Sequence, residues 1–197
     1  MAQLSDEIFP LRLHWPLNEE TLFDFCQINS DYQIERTAQG DIEIMPPTGG
    51  ETGYRNTELI TELNLWARQD NTGIVFDSST GFRLDDGSIC SPDVSWVTRK
   101  RLRNLTLAQK RQFLPLAPDF VIELQSATDR LERLQAKMQL YLTNGVLLGW
   151  LIMPEKQGVY IYQPNQIKYV DKPDYLNGEP ILKGFILNMR PIWETSF

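Results

Sequence analysis

Glu123 is the residue whose position most needs a reason. It stands inside Pro118-Asp119-Phe120-Val121-Ile122-Glu123-Leu124-Gln125-Ser126, where Val121, Ile122 and Leu124 favour a short buried strand entered at Pro118. A carboxylate there is costly unless it is paired or holds a metal. Strand side chains alternate faces, so Gln125 shares the face of Glu123. Earlier in the chain, Ser91-Pro92-Asp93-Val94 brings Asp93 to a strand or turn position beside the apolar Val94 and Trp96. Two carboxylates on neighbouring strands can hold a hard divalent cation such as Mg²⁺, which keeps several waters and is completed by substrate phosphates. Such an ion activates water and stabilises charge on a scissile phosphate. Lys137 is the candidate for a helping cation. It flanks a helical stripe of Leu134, Met138 and Tyr141, and its stem can pack while its amine reaches the strand end.

The elements that must place these groups follow from periodicity and turn chemistry. Residues 1–16, with Pro10 and Pro16, read as an irregular lead-in. Asn18 can cap a helix over Glu19–Cys26, with acids in its first turn. Tyr32–Thr37 and Ile42–Met45 flank Ala38-Gln39-Gly40-Asp41 as a β-hairpin. After the break at Pro46-Pro47-Thr48-Gly49-Gly50, Leu59, Ile60, Leu63, Trp66 and Ala67 recur at helical spacing between Thr52 and Gln69. Strands are expected at Ile74–Asp77 and Gly81–Leu84, then a turn at Asp85-Asp86-Gly87-Ser88 and an extended run from Ile89 to Val97. Thr98–Gln112 is polar, basic, and helical or irregular. A long helix from Asp129 to Asn144 follows the central strand. Val146–Met153 reads as a buried strand, Val159–Tyr162 and Ile167–Val170 as a second hairpin, and short strands are expected near Ile181 and over Phe185–Met189. The fold class is therefore α/β or α+β: a mixed central sheet with a long helix on each face and extra hairpins at the ends, in a single domain spanning 1–197.

Composition narrows the chemistry. The chain has 197 residues, 26 acids, 19 Lys plus Arg and a net charge of -7, which weakens any picture of a surface coated in phosphate-binding lysines. Local charge remains possible, and Arg99-Lys100-Arg101 with Arg103, Lys110 and Arg111 is the best candidate for phosphate contacts, its plain alternative being a solvated face. His14 is the single histidine and lies in the lead-in, so a Ser-His-Asp hydrolase and a histidine-rich zinc site lack support. Neither a GxxxxGK[ST] phosphate loop nor a GxGxxG fingerprint occurs. Cys26 and Cys90 have no CxxC spacing, which argues for a reducing, cytoplasmic setting. No signal peptide or apolar membrane-length run is apparent, so no membrane partner is expected.

Pro92-Asp93 followed by Glu123-x-Gln125 resembles the PD-(D/E)XK motif of restriction-endonuclease-like proteins. The longer string Pro118–Ser126, then Lys137, Tyr141 and Gly145, then Gly149-Trp150-Leu151-Ile152, resembles a bacterial branch described as Uma-type endonucleases. The resemblance runs from about Pro46 to Met153. It implies Mg²⁺- or Mn²⁺-dependent hydrolysis of DNA phosphodiesters, with Asp93 and Glu123 as metal ligands and as catalytic residues alongside Gln125 and Lys137. Gln125 stands where the superfamily often has lysine, and Lys137 could supply the displaced amine. The helix from Thr52 often contributes an acid in the superfamily, for which Glu58 and Glu62 are both open.

Each residue also has a plainer explanation. Asp93 after proline can be a turn or cap residue. Glu123 can be half of a structural ion pair with Lys137 or Arg130. Lys137 alone reads as an amphipathic-helix lysine. The competing functional reading is a non-catalytic binding or assembly module on the same fold, a homodimer joined through apolar, tryptophan-bearing hairpins. Dimers are also expected by analogy with nucleases that cut both strands.

Overall fold

The computed structural model describes residues 10–195. Strand β1 (Leu11–His14) precedes helix α1 (Glu19–Ile28), whose N-cap Asn18 accepts the Thr21 backbone N–H at 2.8 Å. Strands β2 (Gln33–Arg36) and β3 (Asp41–Met45) form the expected first hairpin. Helix α2 (Gly50–Asp70) leads to β4 (Gly73–Asp77), β5 (Phe82–Arg83), β6 (Ile89–Cys90) and β7 (Val94–Thr98). Helix α3 (Arg99–Arg103) separates β7 from β8 (Phe120–Leu124). Helix α4 (Leu131–Thr143) then connects to β9 (Leu148–Met153), β10 (Gly158–Gln163) and β11 (Gln166–Asp171). The chain closes with β12 (Tyr175–Asn177), β13 (Ile186–Asn188) and the short helix α5 (Arg190–Trp193).

The central sheet has the order β11-β10-β9-β8-β7-β4. It is mixed: β8 and β9 are parallel and every other neighbouring pair is antiparallel. A parallel pair needs a crossover, and α4 supplies it. A second sheet, β1-β3-β2-β6-β5, is built from the N-terminal half.

Alternation along β8 splits the core in two. Phe120, Ile122 and Leu124 face α2, where Leu59, Leu63 and Ala67 meet Val94, Trp96 and Trp150. Val121 faces α4, where Leu134, Met138 and Tyr141 meet Val97, Leu151 and Tyr162. Each such buried side chain contributes roughly 1.5–3 kcal/mol by leaving water. The same alternation sends Glu123 to the α4 side. Gly149 on β9 makes room for the Met138 side chain of α4: a Cβ there would lie 2.3 Å from its tip. Helix α4 ends where Gly145 adopts φ 98°, with the Gly145 N–H bonded to Leu142 O at 3.1 Å and the Val146 N–H to Tyr141 O at 3.0 Å. That double closure is a Schellman cap, and glycine takes the positive φ without strain.

Several expectations change. Part of the lead-in is strand β1, an exposed edge paired to β3, while residues 1–9 lie outside the described residues. The extended run from Ile89 to Val97 is cut at Ser91-Pro92-Asp93, because β6 joins the second sheet and β7 the central one. Ile181 sits in a turn instead of a strand, and the partner of β13 is β12. The second hairpin, β10–β11, carries Tyr160, Tyr162 and Tyr169 and no tryptophan. Trp96 and Trp150 are instead core residues. Among the described residues no helix is long and apolar enough to cross a membrane.

Candidate active site

Strand pairing brings the two sequence-distant carboxylates together. Val94 on β7 stands opposite Ile122 on β8, so one further step in the antiparallel register sets Asp93 opposite Glu123. Asp93 Oδ2 accepts the Leu124 backbone N–H at 2.7 Å, which ties the Pro-Asp segment to the end of β8. Its Oδ1 is 3.4 Å from Asn56 Nδ2 on α2. Both carboxylates line a cavity of about 840 Å³, whose walls are the Pro46–Gly50 loop, the start of α2, the Ser126–Asp129 loop and the first turns of α4.

Lys137 joins Glu123, with Nζ at 3.0 Å from Glu123 Oε1. Glu35 on β2 holds the same amine at 2.9 Å. The Tyr141 hydroxyl donates to Glu123 Oε1 at 2.8 Å, so both contacts fall on one of the two carboxylate oxygens. Tyr141 is wholly buried, and Glu123 and Glu35 are nearly so. Burial pushes the Glu123 carboxyl up to about 8 against the pull of Lys137, with Asp93 and Glu35 pushing the same way as burial. Asp93 is also raised, chiefly by burial, although the Leu124 N–H and Lys137 act against this. Burial alone would lower the Lys137 amine, but Glu123 and Glu35 raise it, and the net direction is up. Burial and the Glu123 charge raise Tyr141.

Raised pKa values on the buried Glu123 and the half-buried Asp93 mean that holding both ionised takes positive charge beyond one lysine. Among the described residues no group of three or more His, Cys, Asp or Glu is placed to hold a metal; what Asp93 and Glu123 themselves present to the cavity is a set of two carboxyl groups. That set fits Mg²⁺, which is commonly bound by one or two carboxylates and completed by water and substrate phosphates.

The other sequence candidates are distributed as follows. Gln125 lines the cavity just past the end of β8, and its Nε2 donates to Asp129 O at 3.1 Å. Glu58 and Glu62 are both absent from the cavity wall; the acid that α2 contributes is Glu51, in its first turn. Lys110 and Arg111 of the basic run lie in a short 3-10 turn (Gln109–Arg111), and Arg99–Arg103 form α3 at the far end of β7 from Asp93, with Arg101 paired to Asp119 at 2.9 Å. Five strand residues at ~3.3 Å each put α3 about 17 Å from the carboxylates. The cations that line the cavity are Arg55, Arg133 and Lys137. His14 bonds Asp41 at 2.8 Å on the exposed edge, away from the cavity.

Sequence reasoning did not single out Glu35 or Glu43. They face each other across the β2–β3 hairpin, and two acids in direct cross-strand register repel unless cations reach them. Arg133 meets Glu43 Oε2 at 3.0 Å, and Arg12 bonds Glu43 Oε1. Burial alone would raise the Glu43 carboxyl, but these two guanidinium groups bring it below the ordinary value.

A protein-family model, Uma2, with the description "Putative restriction endonuclease", matches residues 19–190. Among solved structures, a protein from Anabaena variabilis titled a putative nuclease is similar, with a TM-score of 0.69 and 20% sequence identity. The match covers 81% of this chain and 89% of that one, and it shows a shared fold. No curated protein matches the chain.

Proposed function

The chain belongs to the Uma2 family, and from that premise we propose that it is a divalent-metal-dependent endonuclease that hydrolyses phosphodiester bonds in DNA. The observation that carries this reading is the pair Asp93, just before β7, and Glu123, on the adjacent β8, at the wall of one cavity with Lys137 on Glu123. Asp93 and Glu123 are the residues that would hold Mg²⁺ or Mn²⁺. Such a cation stabilises charge at the scissile phosphate and activates the attacking water.

The chain's own groups do the positioning. The Leu124 N–H fixes Asp93, and Tyr141 and Lys137 fix Glu123. Lys137 places positive charge next to the carboxylates, where it offsets charge that grows on the phosphoryl oxygens. Gln125 spends its amide N–H on Asp129 O, which leaves its side-chain carbonyl as the acceptor that orients a water. Arg55 and Arg133 flank this centre from α2 and α4 and supply contacts to neighbouring backbone phosphates. Cutting both strands of a duplex would use two copies of the chain.

The test is cleavage of supercoiled plasmid and of branched DNA with Mg²⁺, with Mn²⁺ and with chelator. The reading predicts nicking that needs the cation and is lost in Glu123→Gln. Equal nicking by that variant would sink the assignment. One observation favours the second reading, a non-catalytic module on this fold: Gln125 carries no charge and its amide is already engaged by the loop. Cation-dependent DNA binding by the wild type with no cleavage of any DNA form would select it.

A further inference from the structure

Glu35 is a buried carboxylate that the proposed chemistry leaves unused, and it comes from the second sheet. Its Oε1 accepts the Ser91 backbone N–H at 2.7 Å and lies 2.9 Å from Lys137 Nζ. Ser91 opens the Ser91-Pro92-Asp93 segment, so the atom that grips the lysine is tied to the segment that delivers Asp93. The register sets Glu35 across from Glu43. Each acid receives its own cation from α4: Lys137 for Glu35, and Arg133, four residues earlier on the same helix face, for Glu43. The second sheet thus meets α4 along two parallel ion pairs, and the inner pair ends on the lysine that touches Glu123. A lysine amine is a point charge on a flexible four-carbon stem. Glu123 alone would let it pivot; two buried carboxylates at 2.9 and 3.0 Å fix it.

We propose that Glu35 is a positioning residue that acts through Lys137, holding its amine at the Glu123 side of the cavity without touching substrate. The proposal deepens the nuclease reading and rests on it for the kinetic half of its test only. Glu35→Gln is close to isosteric and keeps an acceptor for the Ser91 N–H while it removes the charge that faces Lys137. Cleavage rates are compared for Glu35→Gln, Lys137→Gln and the double variant. The expected result is a roughly 10- to 100-fold fall in kcat for Glu35→Gln, in line with the cost of misplacing a catalytic group by about 1 Å. KM for DNA should stay within about twofold, and the double variant should be no slower than Lys137→Gln alone. Losses that multiply, a change in KM only, or an unchanged kcat would overturn the proposal.

The second measurement needs no cleavage. Acylation of Lys137 by an N-hydroxysuccinimide ester is followed by peptide mass spectrometry in wild type and Glu35→Gln. The rate should rise severalfold at Lys137 and stay constant at the exposed Lys100. An unchanged rate at Lys137 refutes the role. If the wild type cleaves no DNA, the nuclease reading fails and this arm still decides for Glu35. Should Glu35→Gln not fold, Glu35→Asp, which retracts the charge by one methylene, is read by the same assay with the same two outcomes.

Discussion

Titrating the metal-free protein should reveal Glu123 as a group whose proton stabilises the fold. Burial holds its carboxyl near 8 in the folded state, against 4.5 ordinarily. The folded protein therefore binds a proton that the unfolded chain has released over this interval. Stability from that proton is fully present below the unfolded pKa and is lost as pH rises through the folded one. One proton corresponds to a slope of up to ~1.4 kcal/mol per pH unit. Between about pH 6 and pH 7.5 the loss approaches roughly 2 kcal/mol, or about 4–8 °C in unfolding midpoint for a chain of this size. Glu123→Gln removes the titrating group and keeps an acceptor for Tyr141 and Lys137. The assay is thermal unfolding by circular dichroism across this range with chelator present. The wild-type midpoint should fall relative to that of the variant as pH rises. Parallel curves for the two proteins would refute the reasoning, since every other titrating group is common to both.

Other expectations follow from single contacts. Lys137→Met strips the cation from the buried Glu35 carboxylate and should cost about 3–5 kcal/mol at neutral pH, measured by urea unfolding. Arg133→Ala should weaken DNA binding across sequences and reduce the slope of log K against log salt by about 1, read by fluorescence anisotropy. Gly73→Ala would set a Cβ 2.1 Å from the buried Trp96 ring and should destabilise by roughly 1–3 kcal/mol in calorimetry, whereas Gly49→Ala meets nothing within 4 Å and should be close to neutral.

The central strand and its helix were legible because their signals are local. Period-two alternation in Phe120–Leu124 fixes which face Glu123 takes, and the spacing of Leu134, Met138 and Tyr141 fixes the face of α4. Glu35 was not legible for the opposite reason. Gln33-Ile34-Glu35-Arg36 reads as an ordinary hairpin strand, and only the docking of the second sheet on α4 buries its carboxylate. The available signal was the facing pair Glu35 and Glu43, two acids that one hairpin would not set in register without incoming cations. The basic run misleads by its nearness in sequence. It follows Asp93 closely in the chain, yet β7 carries it to the far end of the sheet.

The measurement closest to the central claim is the unfolding midpoint of the wild type and of Asp93→Asn with and without Mn²⁺. A cation bound only by the folded state at ~100 times its Kd adds about 2.7 kcal/mol. That corresponds to a rise of roughly 5–10 °C for a chain of this length. The account predicts this rise in the wild type and its disappearance in Asp93→Asn. A rise of equal size in both proteins would place the cation elsewhere and contradict the assignment of Asp93 and Glu123.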